Sequence, residues 1–183
     1  DGVCSFLFVG RIMKEKGVDE FFSAARTLKA EFGGEVAFDV VGFYEDAYKE
    51  QVDQLVADGI VRFHGFQTDV HPFYEAADCV VLPSYHEGMS NVLLEGAATG
   101  RALITSDIPG CREAVEDGVS GYLCPAQDAE GLTQAMRDFA QQSFDRQVQM
   151  GQSGRALVER KFDKQLVVAK TLDGLGLPAA VRS

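Results

Sequence analysis

Two acidic residues, Glu87 and Glu95, bracket a short polar segment that follows an apolar run and leads into a helical pattern. A carboxylate accepts two hydrogen bonds at once, which suits the vicinal hydroxyls of a sugar or a ribose. Gly88 lets a ligand approach the backbone, and the unsatisfied amides of a helix start attract anions. Taken singly, Glu87 is equally a loop acid and Glu95 a residue of a helix's first turn. Together they indicate a cradle for hydroxyls and phosphate.

A pair of cations, Arg11 and Lys16, follows the first apolar run of the chain, and Gly10 allows a sharp turn before them. An arginine clamps a phosphate through two donors, whereas a lysine adds a mobile point charge. Two fixed cations therefore suit a diphosphate. A solvated basic turn explains the same residues, and the position directly after a buried strand leaves both interpretations open.

The third apolar run ends in His64, Gly65 and Phe66, a turn where a nucleobase could lie against backbone or a ring. A structural interpretation stands beside this one, with His64 as a satisfied polar residue and Phe66 in packing. The chain has no GxGxxG at a strand-to-helix turn, so a dinucleotide cofactor of the Rossmann kind is not expected.

The elements that must position these residues are short apolar runs that alternate with helical patterns. The runs are nearly continuous in apolar residues, as in parallel strands that helices cover on both faces. This alternation predicts an α/β fold, a doubly wound Rossmann-like parallel sheet of about six strands. Ligands of such folds bind outside the carboxyl ends of the strands. The predicted strands are 4–10, 37–42, 60–65, 79–84, 102–106 and 121–124.

Apolar residues at helical spacing predict the helices of this domain. The chain reads as helical to about residue 172, with breaks near Ser143–Phe144 and Phe162–Asp163. We therefore predict a single domain over residues 1–172, followed by a tail or linker over 173–183. The earlier predicted helices are 18–32, 48–56, 69–77, 91–99, 111–117 and 129–142.

Composition excludes several classes of partner. The chain has 183 residues, 46% apolar and 25% charged, as in an ordinary soluble globular protein. Its net charge of −11 argues against nucleic acid and anionic lipid, which both need a positive face, although a small anion needs only a few local cations. No apolar run approaches the roughly 20 residues that span a bilayer, so no membrane segment is expected. The four cysteines lack CxxC spacing and are expected to be reduced, mostly buried thiols of a cytosolic protein.

At these motifs the sequence closely resembles the carboxyl-terminal domain of retaining GT-B glycosyltransferases of family 4, the glycosyl transferases group 1. The matching elements appear in family order over roughly residues 4–142. Glu-x7-Glu is specific to the family when GR-x4-KG precedes it. The matching segments are FVGRIMKEKG, VRFHGF and FYEAADCVVLPSYHEGMSNVLLEGAATGRALITSDIPGCREAVEDGVSGYL.

The resemblance implies a role for each matching residue. Arg11 and Lys16 would bind the donor diphosphate and stabilise the leaving nucleoside diphosphate. Glu87 would accept hydrogen bonds from the donor sugar, and Glu95 would hold the ribose hydroxyls, with the turn at His64–Phe66 near the base. Fixed cations and amides would replace a metal, and no cofactor is required beyond the bound nucleotide sugar. The backbone amides expected to contact sugar and phosphate are those of Gly88, Met89, Ser90 and Asn91, with Val92 and Leu93 closing the helix start.

Two departures from the family pattern bear on the substrate. Many relatives carry an aromatic residue and a glycine where this chain has Met89–Ser90–Asn91, and a double glycine near Pro109–Gly110. The PGCRE form resembles bacterial enzymes of capsule, exopolysaccharide or lipopolysaccharide assembly, which often use UDP-sugars. A UDP-sugar donor is therefore expected, in a cytoplasmic enzyme that could lie at the inner face of the membrane.

A complete enzyme of this type has two such domains, and the amino-terminal one carries the acceptor site. We expect that domain to be absent from this chain, and the domain present to be inactive alone. A glycan or a lipid-linked acceptor would bind through the missing half. The alternatives are a non-catalytic nucleotide-sugar-binding or flavodoxin-like regulatory module, in which Arg11, Lys16 and Glu95 need not converge, and a UDP-sugar epimerase relative, which is less consistent with GR-x4-KG and Glu-x7-Glu.

Overall fold

A computed structural model of the protein describes residues 2–162 and shows a parallel sheet of six strands in the order β3-β2-β1-β4-β5-β6. Every pair of neighbouring strands is parallel. The predicted doubly wound α/β fold is therefore confirmed. The strands are β1 (Cys4–Val9), β2 (Val36–Val41), β3 (Arg62–Phe63), β4 (Cys79–Leu82), β5 (Ala102–Ser106) and β6 (Gly121–Cys124).

Within residues 2–162, six α-helices connect or follow the strands. The prediction of a helix over 111–117 is wrong. Only a 3-10 turn forms there, at Arg112–Ala114, and Val115 is extended. None of the helices within residues 2–162 combines the length and hydrophobicity needed to cross a membrane. The α-helices are α1 (Val18–Phe32), α2 (Lys49–Ala57), α3 (His71–Ala76), α4 (Asn91–Ala98), α5 (Ala129–Ala140) and α6 (Phe144–Phe162).

An aromatic cluster on one face of the sheet fixes the central strands against their helices. Phe6 stacks on Phe38 across β1 and β2 at 5.5 Å between ring centroids. On the same face, the ring centroid of Phe21 in α1 lies 5.4 Å from that of Phe8. The ring centroid of Phe139 in α5 lies 5.9 Å from that of Phe6. Close packing of this kind fixes the positions of the strand ends and of the turns that follow them.

The strand order reverses between β1 and β4, and the turns after these two strands meet there. Gly17 closes the turn after β1 at φ +71°, and a Cβ on it would lie 1.9 Å from the Pro83 carbonyl oxygen. Only glycine fits this contact, so the reversal point holds the two turns in register.

The four cysteines are free thiols, and three of them, Cys79, Cys111 and Cys124, are buried. Cys4 is partly exposed at the start of β1. Two predictions fall outside the described residues: the continuation of the last helix beyond Phe162 and the tail or linker over 173–183.

Candidate functional site

Lys16 and Glu87 form an ion pair where the turns after β1 and β4 meet. Lys16 Nζ lies 2.5 Å from Glu87 Oε1, and the buried Ser84 hydroxyl donates to the same oxygen at 2.8 Å. The Glu87 side chain is only 13% exposed. Within residues 2–162 its second oxygen, Oε2, receives no hydrogen bond from protein, so this oxygen can accept from a ligand.

Tyr85 joins the two turns that carry this ion pair. Its amide donates to the Glu15 carbonyl at 2.9 Å, and its hydroxyl donates to Glu20 Oε1 in α1 at 2.7 Å. Burial and the neighbouring Glu20 carboxylate raise the pKa of the Tyr85 hydroxyl, which therefore stays a donor. The segment from Pro83 to Glu87 is thus tied to the Lys16 turn through both backbone and side chain.

The start of α4 presents a row of backbone amides beside Glu87. Ser90 caps the helix, since its hydroxyl accepts from the Leu93 amide at 3.4 Å. The Ser90 amide, which we expected to contact a ligand, donates here to the Gly110 carbonyl at 3.2 Å. Across the described part of the chain, four amides of this segment have no protein acceptor: those of Gly88, Met89, Asn91 and Val92. These four groups and the helix dipole are arranged so that they can bind an anion.

The loop after β5 rests directly on this segment at Gly110. Gly110 has φ +88°, and a Cβ on it would lie 1.7 Å from the Gly88 carbonyl oxygen. Its amide donates to Glu113 Oε2 at 2.8 Å while its carbonyl accepts from Ser90. The PGCRE loop, residues 109–113, therefore packs against the start of α4 and does not form an α-helix of its own.

Glu95 lies one turn further along α4, exposed to solvent and held by one tyrosine. The Tyr74 hydroxyl of α3 donates to Glu95 Oε2 at 3.1 Å. Tyr74 itself is fully buried, and burial followed by the Glu95 charge raises the pKa of its hydroxyl. Sequence reasoning missed this partner, because a tyrosine at helical spacing simply reads as core.

The predicted base turn divides into a structural and an exposed part. His64 Nε2 lies 2.7 Å from Asp39 Oδ1, and its ring packs 4.9 Å from Phe73, so its side chain is satisfied within the protein. Phe66 is 68% exposed, with its ring 6.4 Å from that of Phe43. Gly65 accepts from the Gly42 amide at 2.9 Å, which fixes the turn.

Arg11 is exposed directly after β1, and within residues 2–162 it forms no ion pair or hydrogen bond with protein. The preceding Gly10 anchors the turn, since its amide donates to the Val41 carbonyl at 3.0 Å. Because β1 and β4 are neighbours, Arg11 follows the strand beside the one that leads to Glu87. Among the described residues, no three histidine, cysteine, aspartate or glutamate side chains cluster as metal ligands.

The family model for glycosyl transferases group 1 matches residues 4–142 of this chain. The chain therefore belongs to this family, as the motifs predict. It is 32% identical over 173 residues to the glycogen synthase of Mycobacterium tuberculosis, and this alignment covers 93% of this chain and 42% of that protein. It is 30% identical over 172 residues to the amylovoran biosynthesis glycosyltransferase AmsK of Erwinia amylovora, with 87% and 41% covered. The chain thus spans about two fifths of these curated relatives.

Solved structures show the same fold. One of them is the carboxyl-terminal domain of a glycosyl transferase group 1 family protein (LpcC) from Francisella tularensis, which is 26% identical with a TM-score of 0.77. The superposition covers 87% of this chain and 86% of that domain. Anabaena Alr3699/HepE in complex with UDP is 21% identical with a TM-score of 0.79, and the superposition covers 94% of this chain and 49% of that one. The fold is therefore that of the carboxyl-terminal half of a GT-B glycosyltransferase.

Proposed function

We propose that this domain binds a UDP-sugar donor and, together with an acceptor-binding half, transfers the sugar with retention of anomeric configuration. The observation that carries the proposal is the arrangement at the start of α4. There, within residues 2–162, one oxygen of Glu87 has no protein donor, Lys16 lies against the other, and four amides of 88–92 have no protein acceptor. A sugar hydroxyl and a phosphate are the groups that these donors and acceptors match together.

The arrangement gives each charged side chain a task in such a transfer. Arg11 and Lys16 supply positive charge to the diphosphate, and the amides of Gly88 and Met89 add neutral donors beside it. Charge that develops on the leaving nucleoside diphosphate is thereby met by groups that are already in position. Glu87 Oε2 accepts from a donor hydroxyl and orients the sugar over that phosphate site.

The uridine base and the polysaccharide product rest on the relatives. Alr3699/HepE was crystallised with UDP, and AmsK is named for amylovoran biosynthesis. On this basis the donor is a UDP-sugar, and the product is a bacterial surface polysaccharide. The acceptor, a glycan or a lipid-linked sugar, binds the half that this chain does not cover, so the domain alone is inactive. We place the complete enzyme in the cytoplasm, at the inner face of the membrane where its acceptor lies.

Calorimetry with UDP-, GDP- and ADP-sugars tests donor binding by this chain. We expect the UDP-sugar to bind, and both Arg11→Ala and Lys16→Met to weaken its binding about tenfold or more, because each loses a charged hydrogen bond of roughly 1.5–3 kcal/mol. Lys14→Met is the matched control, since Lys14 lies exposed in the same turn. Absence of binding to every nucleotide sugar would overturn the proposal, as would equal effects of Lys14→Met and Lys16→Met.

A further inference from the structure

Tyr74 is the fully buried tyrosine of α3, and its only polar atom on the side chain reaches outward to an exposed acid. Its hydroxyl donates to Glu95 Oε2 at 3.1 Å, although Tyr74 itself has 0% exposure. The ring is held by the core, so the hydroxyl has no freedom to follow Glu95. An exposed glutamate on a helix is otherwise free to change rotamer. The contact therefore fixes the orientation of the Glu95 carboxylate.

Helix α3 contacts both parts of the nucleoside site that the family resemblance implies, the turn at His64–Phe66 and Glu95. Phe73 packs against the His64 ring at the turn after β3, and the next residue, Tyr74, holds Glu95 of α4. The two contacts come from adjacent residues of one short helix. Helix α3 therefore contacts both the base turn and the Glu95 side chain.

We propose that Tyr74 is a positioning residue that occupies Glu95 Oε2 and thereby directs Oε1 to the ribose hydroxyls, which makes the domain selective for ribonucleotides. This inference rests on the proposed donor-binding function and on the contact between Glu95 and the ribose that the family resemblance implies. The hydroxyl of Tyr74 serves only as a donor to the carboxylate, because burial and the Glu95 charge raise its pKa. Within residues 2–162 no other side chain donates to Glu95, so the remaining oxygen is open to a ligand.

Three nucleotides separate this role from simple support of the core. UDP, 2′-deoxy-UDP and 2′,3′-dideoxy-UDP differ only in the hydroxyls that Glu95 would bind. In the unmodified chain we expect affinity to fall along this series. In Tyr74→Phe we expect UDP affinity to fall about tenfold, the scale of one charged hydrogen bond, while the affinity of dideoxy-UDP is unchanged.

Two further variants complete the experiment. Glu95→Gln should lose the difference in affinity between UDP and dideoxy-UDP. Adding Tyr74→Phe to Glu95→Gln should not change that difference further. Tyr48→Phe is the matched control, because it removes a hydroxyl from another tyrosine–carboxylate pair, Tyr48 to Asp19 at 3.2 Å. Its ratio of UDP to dideoxy-UDP affinity should equal that of the unmodified chain.

The outcomes separate the inference from the function it rests on. If the unmodified chain binds no UDP, the proposed function fails and the inference with it. If UDP and dideoxy-UDP bind equally well, nucleotide binding stands and the inference is overturned. An equal loss for all three nucleotides in Tyr74→Phe would also overturn it, since core damage alone does that. Should Tyr74→Phe not fold, Glu95→Asp replaces it: the shortened acid withdraws from Tyr74, and retained discrimination would contradict the inference.

Discussion

The two carboxylate oxygens of Glu87 have different surroundings. Lys16 and Ser84 both reach Oε1, and the second oxygen is left without a protein donor in the described chain. Lys16 is 26% exposed on its side chain, so the proposed diphosphate could reach it beside Glu87. The resemblance predicted both residues, but it did not predict their mutual contact or the role of Ser84.

Gly110 brings the loop after β5 into contact with the Gly88 carbonyl, and a substitution there tests the proposed anion site. Gly110→Ala adds a Cβ that meets the Gly88 carbonyl at 1.7 Å, so the loop and the start of α4 must separate. We expect nucleotide affinity to fall at least about tenfold and stability to fall by roughly 1–3 kcal/mol, from strain at φ +88° and the lost Ser90 contact. Calorimetry and denaturant unfolding measure the two effects.

Gly118→Ala is the control for that experiment. Gly118 has a similar φ of +72°, but a Cβ on it would meet nothing within 4 Å. It should therefore lose stability from backbone strain and keep its nucleotide affinity. Equal affinity losses in both variants would show that the contact between Gly110 and Gly88 has no part in ligand binding.

At the scale of elements, the apolar runs predicted every strand, and the structure changes mainly their extent. The run at 60–65 pairs with β2 only through Arg62 and Phe63, because β3 lies at the edge of the sheet and has one neighbour. The helix predicted over 111–117 is absent, because Gly110 and Val115 take non-helical conformations on both sides of the 3-10 turn. Apolar spacing does not report such tertiary demands on a loop.

The contacts between elements at the site could not be predicted from the sequence. Tyr74 and Glu95 are 21 residues apart, and Tyr85 and Glu20 are 65 apart. Each pair forms only because the sheet order brings its elements together. A motif identifies the residues that meet a ligand, whereas the residues that hold them are distinguished by geometry alone.

The tie between the β4 turn and α1 through Tyr85 predicts a difference between two tyrosines. Tyr85→Phe leaves Glu20 without its donor, and its other oxygen, Oε2, is already buried with no partner in the described chain. We expect stability to fall by about 1–3 kcal/mol, the cost of a buried unsatisfied group, and nucleotide affinity to fall with the displaced turn. Denaturant unfolding and calorimetry provide the two readouts.

Tyr48→Phe provides the comparison, since Tyr48 also donates to an acid of α1, Asp19, but lies outside the turn that carries Glu87. It should lose less stability than Tyr85→Phe and no nucleotide affinity. If Tyr85→Phe matched Tyr48→Phe in both measurements, the tie through Tyr85 would be irrelevant to the site.

For the whole molecule, the contrast between total charge and local charge is informative. The chain carries a net charge of −11, yet the proposed donor is itself an anion. In the proposed complex, attraction would come from Arg11, Lys16 and the amides at the start of α4, within roughly the 8–10 Å over which charges act at physiological salt. The family match covers residues 4–142, and the fold places these groups at one edge of the sheet.

Four thiols, three buried and one partly buried, give the whole domain a pH dependence whose sign can be worked out. Burial raises the pKa of Cys111 to about 11 and those of Cys4 and Cys124 to about 12 from 9.0, and it raises the pKa of Cys79 well above that value. Above pH 9 the unfolded chain loses thiol protons that the folded chain retains, so unfolding is favoured increasingly up to about pH 12. We expect the urea midpoint to fall steadily from about pH 9 upward. Cys124→Ala should show a shallower fall, because it removes one of these groups, and an unchanged slope in that variant would contradict the assignment.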